Sequence, residues 1–413
     1  MLEFSDKPYR YFPPERIAPI AWLLTLLNRM IRLPRRRKIK QIEISGADGI
    51  REIRSRGVRI LFTPNHSTHS DSEIFIEAIR KIGLTTQFMA AYDIFLRSRI
   101  GAWAMQRMGS FSVDRDASDP KAMAQARAIL SEGRHSLTIF PEGNVYLRND
   151  EVTPFHEGAA MLGLRSAKEL SKKDVSVVVI PVSIKVTYLV DIREPVEARL
   201  SELVRAVDAE VSQDAGLPER VRATGTAALL RNLRQRGIDI PEAEDLAGLI
   251  KASASSVLRQ LEKKMDIEPR AKDSLIDRVR AARRKIHSVL IDPERAADHK
   301  AAELWANEAM VAFRIVSYRS DYVASHPTLD RFAETVEKLE EDIFARMPRP
   351  YGPRCAFVRF GRPIDLEEYL ESFRIKARVA TRSLTERIEG AVQEGIDALN
   401  TANPHLGGST MIA

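Results

Sequence analysis

The alternation of apolar and polar positions divides the chain into two kinds of segment. From residue 41 to 195 short strand-like runs alternate with helical ones. Gln41–Ser45 reads as a strand, followed by a loop and a short helix to Arg56. Arg59–Thr63 carries the apolar run Ile60-Leu61-Phe62 and turns at Pro64-Asn65. Ile74, Phe75, Ala78, Ile79 and Ile82 then recur at helical spacing, and Gly83 ends the run. The pattern predicts a helix over Asp71–Ile82. Ser70 and Glu73 have the spacing of a capping box, which makes Ser70 the expected N-cap. Gln87–Ala91 reads as a strand, Phe95–Met108 as a helix and Ser110–Val113 as a short strand. Asp119-Pro120 is a cap and first-turn pair for a helix running to Glu132 and stopping at Gly133. Ser136–Phe140 is a buried-type strand, Gly158–Leu170 a helix, and Val175–Val186 a β-branched strand. Pro181 inside that last strand predicts an edge position or a bulge. The alternation argues an α/β domain with a mainly parallel or mixed sheet.

After Val196 the pattern changes. Arg, Ala, Leu and Glu dominate, and the expected elements are helices alone: Val196–Gln213, Glu219–Gln235, Pro241–Met265, Lys272–Leu290, Glu294–Val323 and Leu329–Ala345. Strand character returns near Cys355. The expected organisation is an N-terminal membrane-associating segment (1–40), an α/β core (41–195), a helical insertion (196–349), and a returning strand with C-terminal helices completing the core (350–413). The tail after Asn403 is expected to be loosely ordered.

The N-terminal segment holds an eleven-residue apolar run, Ile17–Leu27, followed by Arg29, Arg32, Arg35, Arg36, Arg37, Lys38 and Lys40. The run is short of the roughly 20 residues a spanning helix needs. A signal peptide would carry its charges first. Two readings stand: an interfacial helix on an anionic bilayer, or a helix capping its own core with solvated charges. A second basic cluster, Arg278–Lys285, has Val279, Ala282, Ile286 and Val289 on its apolar side. It reads either as a dock for an acidic carrier protein or lipid surface, or as a solvated face.

Net charge is +7, from 64 basic and 57 acidic residues, which favours anionic partners. No zinc-finger spacing, RNP-like aromatic pattern or helix-turn-helix signature is present, so nucleic acid is not an expected partner. The single cysteine, Cys355, excludes an internal disulfide framework and reads as packing.

Three polar clusters fall at strand ends, where functional loops gather in α/β domains. The first holds His66 and, five residues on, Asp71. Within one helix these would stand about 140° apart, so only a loop folded over the helix start brings them together. Paired, they form a general base with a carboxylate orienter. Unpaired, His66 satisfies the loop and Asp71 complements the helix dipole. The second cluster ends in Arg115, which suits a phosphate or a salt bridge to Asp114 or Asp116. The third, Phe140-Pro141-Glu142-Gly143, places Glu142 to accept a hydrogen bond from a substrate hydroxyl, with Gly143 allowing close backbone approach. His66, His69 and Asp71 also have the chemistry of zinc ligands, but no further cluster completes such a site.

Taken in order, Asn65-His66…Asp71, Gly109-Ser-Phe111…Arg115, Phe140-Pro141-Glu142-Gly143-Asn144 and the proline-bearing strand Val177–Val182 resemble the glycerolipid acyltransferase family, whose best-known members are the 1-acylglycerol-3-phosphate acyltransferases. The resemblance covers residues 41 to 195 and resumes at Cys355–Leu370. It implies the family's αβ domain with a mixed sheet. It implies His66 and Asp71 as catalytic residues, the base deprotonating a glycerol hydroxyl that attacks an acyl thioester. Arg115 would engage the acceptor's phosphate, and Glu142 and Gly143 its head group. Asn65, Gly109, Phe111 and Asn144 complete the substrate-binding set. The donor would be acyl-CoA or acyl-carrier protein, the acceptor a lysophospholipid, with no metal or bound cofactor. The expected location is peripheral, at the cytoplasmic face of a membrane. Val145 stands where many members carry an arginine, with Arg148 the nearest basic residue, and this favours a larger head group or another hydroxylated lipid. A non-catalytic lipid-binding protein of the same fold is the second reading, against which the intact His66, Asp71, Glu142 and Arg115 argue.

Overall fold

The computed structural model describes residues 7–115, 117–212, 214–403 and 407–412. Asp116, Gln213 and residues 404–406 and 413 of the tail lie outside them. The described chain divides into two compact units, one of Tyr11–Val190 with Gly352–Ser409, the other built on Asp191–Tyr351 with residues 7–10 and 410–412.

The first unit is α/β. It opens with α1 (Ala18–Leu27) and a wide π-type helix (Asn28–Arg36). Then come β1 (Ile39–Ser45), α2 (Ile50–Ser55), β2 (Arg59–Pro64), α3 (Asp71–Lys81), β3 (Thr86–Ala91), α4 (Tyr92–Leu96), α5 (Arg99–Met108) and β4 (Phe111–Val113). Next are α6 (Pro120–Glu132), β5 (Ser136–Thr138), α7 (Gly158–Leu170) and β6 (Val177–Tyr188). The sheet runs β1-β7-β6-β2-β5-β3-β4, with β7 (Arg354–Phe360) returning from the end of the chain and β8 (Ile364–Asp365) also pairing β6. All pairings are parallel except those of β6 with β7 and β8. Alternate residues of the central strands feed two cores: Leu61, Leu137, Val177 and Val179 on one face, Ile60, Phe62, Val178 and Ile180 on the other. The first core is sealed by α16 (Ala377–Ala402), which follows α15 (Leu370–Ile375) and buries Ala380, Leu384, Ile388, Val392 and Ile396.

Three local expectations are corrected. Pro181 lies on neither an edge nor a bulge. Its strand is central, flanked by β2 and β7, and Pro181 sits where β7 has ended and β8 has not begun. Its carbonyl accepts from Gly361 N–H at 2.8 Å, so the position lacking an N–H faces a turn instead of a ladder partner. The expected helix Phe95–Met108 is two helices, because Ser98 is extended (φ −158°, ψ 130°) and caps α5. The Ser70/Glu73 capping box does not form. Ser70 Oγ shares a hydrogen bond with Thr68 Oγ1, while Glu73 is taken by Arg32 (2.6 Å) and Arg37 (2.5 Å). Part of the basic N-terminal run therefore clamps α3 in place.

Tyr188 pairs with Arg354, and Leu189 N–H donates to the Pro353 carbonyl at 2.9 Å. The second unit thus enters the chain where a β6–β7 hairpin turn would stand, a position that tolerates large insertions. It is helical: α8 (Arg193–Ala206), α9 (Leu217–Gln235), α10 (Leu246–Met265), α11 (Leu275–Leu290), α12 (His299–Val316), α13 (Tyr322–Ser325) and α14 (Leu329–Phe344). In α11 the basic cluster is partly structural. Arg278 grips Glu262 of α10 through two bonds of 2.8 and 2.7 Å, and Val279, Ala282, Ile286 and Val289 are buried. The described end of the tail is also paired, not loose: Leu329 N–H donates to Thr410 O and Ile412 N–H to Pro327 O.

Candidate active site

The parallel strands β2, β5, β3 and β4 all end on one edge of the sheet, and their following loops meet there. Leaving β2, the chain crosses residues 65–70 before α3 starts. Asp71, fully buried in the first turn, draws that loop back over the helix. Its carboxylate accepts from Thr68 N–H (2.8 Å), Thr68 Oγ1–H (2.6 Å) and His66 Nδ1 (3.1 Å). A carboxylate only accepts, so the imidazole carries its proton on Nδ1 and keeps its lone pair on Nε2. Among the described residues Nε2 has no hydrogen-bond partner, and the side chain is 20% exposed. The ring rests on Phe140, with centroids 4.4 Å apart. The five-residue spacing therefore closes as a folded loop, and His66 and Asp71 are brought together.

Glu142 is 2% exposed and faces protein donors. Oε1 accepts from His66 N–H at 2.6 Å; Oε2 accepts from Thr153 N–H at 3.1 Å and from the Thr153 hydroxyl. Burial pushes its carboxyl above the usual range, against the lowering effect of those hydrogen bonds. Glu142 ties the loop after β5 to the loop after β2. Gly143 has φ 72°, and a Cβ there would lie 2.9 Å from His156 Cδ2, so only glycine fits the turn. The same loop is held from α16, where Gln393 Oε1 accepts from Val152 N–H (2.9 Å) and Glu389 Oε2 from Phe155 N–H (2.7 Å).

Arg115, just past β4, reaches the same loop. Its guanidinium donates to Gly143 O (2.5 Å), Asn144 Oδ1 (2.6 Å) and Asp93 Oδ1 (3.0 Å). It meets Asp93 at the start of α4; of the two acids the sequence suggested for it, Asp116 lies outside the described residues. Arg115 and Asn144 thus stand together, joining β4 to the loop after β5. Gly109 closes α5, and Phe111 is fully buried in the core, so neither presents a side chain to a ligand. Two residues on from Tyr146, the Arg148 guanidinium lies 5.7 Å over the tyrosine ring, and no hydrogen bond or ion pair to it is formed among the described residues.

Asn65 is 1% exposed, and its amide is spent on one backbone residue: Oδ1 accepts from Ile184 N–H (2.6 Å) and Nδ2 donates to Ile184 O (2.9 Å). Asn149 makes the same double bond to Val186, with Oδ1 also accepting from Ser67 Oγ–H at 3.1 Å. β2 ends opposite Val182, so these two side chains continue the ladder that β2 leaves open. Beside them, Lys185 and Asp150 form a buried ion pair. Asp93, Asn149 and Thr153 escaped the sequence reading because their partners lie on other segments; Thr68, three residues before Asp71, is bonded locally.

Among the described residues no three His, Cys, Asp or Glu side chains stand where they could share a metal ion. Residues 41–185 match the family model described as Acyltransferase. The chain carries an acyltransferase-family domain. No curated protein matches the chain. The matched span contains His66, Asp71, Arg115 and the Glu142 loop, so the acyltransferase region and this cluster coincide along the sequence. Cys355 is not part of it: the thiol is buried in β7 and pushed up to about 12 by burial and by Glu43.

Proposed function

We propose that the protein moves a fatty acyl chain from acyl-CoA or acyl-carrier protein to a hydroxyl of a lysophospholipid, at the cytoplasmic face of a membrane. The observation that carries the reading is the His66–Asp71 pair, with Nε2 left unbound, inside an acyltransferase-family domain. His66 Nε2 takes the hydroxyl proton as the acceptor oxygen attacks the thioester carbonyl. A C–O bond forms, the C–S bond breaks, and the proton passes to the departing thiolate. Asp71 holds the tautomer and stabilises the imidazolium formed in between. The reaction needs no metal or bound cofactor.

Arg148 is the acceptor's phosphate ligand in this reading. Arg115 is engaged by Asp93 and the loop, whereas Arg148 has a guanidinium over Tyr146 and no acidic partner. Membrane association is supported by an exposed apolar surface on two helices. Trp22, Leu23 and Leu27 of α1 are exposed, and so are Ile100 and Trp103 of α5, which packs against α1. Exposed Arg35 and Arg36 follow directly. Tryptophan and aliphatic side chains followed along the chain by arginine suit an anionic lipid interface.

The test is transfer of a labelled acyl chain from acyl-CoA and from acyl-carrier protein to a panel of lysolipids, in wild type and His66→Ala. Turnover lost in the variant supports the reading. Turnover kept by His66→Ala sinks the mechanism, and lipid that co-purifies without turnover on any acceptor turns the protein into a lipid carrier.

A further inference from the structure

The helical unit carries a half-open cavity of its own, about 1010 Å³, walled by α9, α12 and α14 with the start of α10. That is the upper end of the roughly 300–1,000 Å³ of small-molecule sites. Its walls are aliphatic, among them Leu229, Ile250, Val311, Ile315, Leu339 and Ile343; the aromatic lining side chains are Tyr318 and Phe344. Such walls suit a flexible alkyl chain and offer no slab for stacking a nucleobase. Among larger residues α9 lines the space with Gly225 and Ala228, and a Cβ at Gly225 would meet only Leu339 Cδ2, in ordinary contact at 3.7 Å. The space is therefore kept open by the sequence, although filling it would add apolar burial.

The charges at the wall are unequal. Four arginines, Arg222, Arg231, Arg314 and Arg319, line it against Glu219 and Asp342. Asp342 is met by Arg314 (3.3 Å) and accepts from Tyr318 Oη (2.7 Å). Arg319 pairs with Asp321, and Arg231 donates to the Ala206 carbonyl. Arg222 is exposed, and among the described residues it has no hydrogen bond or ion pair. A largely aliphatic cavity with an unmatched guanidinium at its wall has the complementarity of a single-chain amphiphile with an anionic head. We propose that this cavity binds one: the alkyl chain between α9, α12 and α14, and the carboxylate or phosphate against Arg222. A free fatty acid, an acyl thioester and a lysophospholipid share that chemistry. The proposal stands apart from catalysis at His66, because every residue it uses lies in the helical unit.

The experiment is photolabelling of the purified full chain with palmitate carrying a diazirine at its methyl end, with adducts mapped by peptide. Saturable labelling of peptides from α9, α12 or α14 is expected. Competition by unlabelled palmitate, palmitoyl-CoA or a lysophosphatidate identifies which head group the site takes. Gly225→Leu fills the space; a Cβ there first meets Leu339 Cδ2 at 3.7 Å, so the helix accepts it. Labelling in the unit should fall at least about tenfold in this variant with Tm kept, and Ala228→Leu should repeat the effect. Arg222→Glu should weaken every anionic competitor several-fold and leave an uncharged alkyl alcohol unaffected. Adducts confined to residues 11–190, labelling that does not saturate, or wild-type labelling in both filling variants overturns the proposal.

Discussion

Glu142 Oε1 accepts the backbone N–H of His66 at 2.6 Å, and through that one bond the loop after β5 fixes the loop after β2. His66 is thus held twice, by its amide and by its ring, through carboxylates from two different segments. Removing Glu142 leaves three buried donors without their acceptor, on His66 and Thr153. Glu142→Ala should lower kcat by about 10²-fold or more through misplacement of the imidazole, with exchange of the His66 amide accelerated. Thr153→Val removes one bond of the three and should cost only about 1 kcal/mol of stability. A Glu142→Ala enzyme with full kcat and an unchanged amide would show the clamp to be idle.

The same carboxyl gives a pH signature. Burial raises its pKa, so the folded chain binds this proton more tightly than the unfolded chain. Its contribution to stability is then complete below the unfolded value, about 4.3, and is lost as pH rises through the higher folded one. The stability difference between wild type and Glu142→Gln should therefore shrink as pH rises across that window. Denaturant titrations at several pH values measure it, and a difference that grows with pH would reverse the assignment.

At the proposed base, Asp71→Asn keeps the shape but replaces an accept-only carboxylate with an amide. On the proposed mechanism it should lower kcat by about 10²–10⁴-fold, as His66→Ala should, while KM for the acceptor moves little. The double variant should be scarcely worse than either single one, since the two residues act as a unit. Additive losses would mean that they act separately.

How far this site could be read from the chain depends on the range of the interactions. The β2–turn–α3 unit is local, so the apolar run, Pro64 and the helical recurrence from Ile74 predict it closely. The His66–Asp71 pairing is also local, five residues apart, and its geometry follows once the loop folds over the helix start. Glu73 was misread because its partners, Arg32 and Arg37, come from an earlier segment and outcompete the local cap. Asn65 enters the substrate set only through the family resemblance; its bond to Ile184 spans 119 positions and leaves no local trace. Pro181 misled for a related reason. Proline demotes a strand to the edge unless its bare position meets a gap, and the gap comes from residues 361–363, far along the chain.

Cys355 tests the burial of β7. Its thiol is pushed up to about 12, so the reactive thiolate is suppressed at ordinary pH. Alkylation by iodoacetamide at pH 8 should be negligible in the folded protein and quick in denaturant. Labelling of native protein at the rate of a free thiol would mean that β7 detaches from β1 and β6.

The apolar patch on α1 and α5 yields the remaining prediction. Trp22 is 68% and Ile100 80% exposed, which a protein bathed only in water has little reason to maintain in neighbouring helices. Trp22 and Trp103 are both exposed and outside the buried core, so replacing them should leave stability within about 0.5 kcal/mol. Trp22→Ala with Trp103→Ala should weaken sedimentation with phosphatidylglycerol vesicles by at least about tenfold, because the chain-penetrating side chains supply the apolar term. Arg35→Glu with Arg36→Glu should weaken it for anionic vesicles alone, and added salt should mimic that charge reversal in wild type. The two pairs separate penetration from attraction. If the tryptophan pair binds vesicles like wild type, the patch faces something other than lipid, and the basic residues after it need another partner.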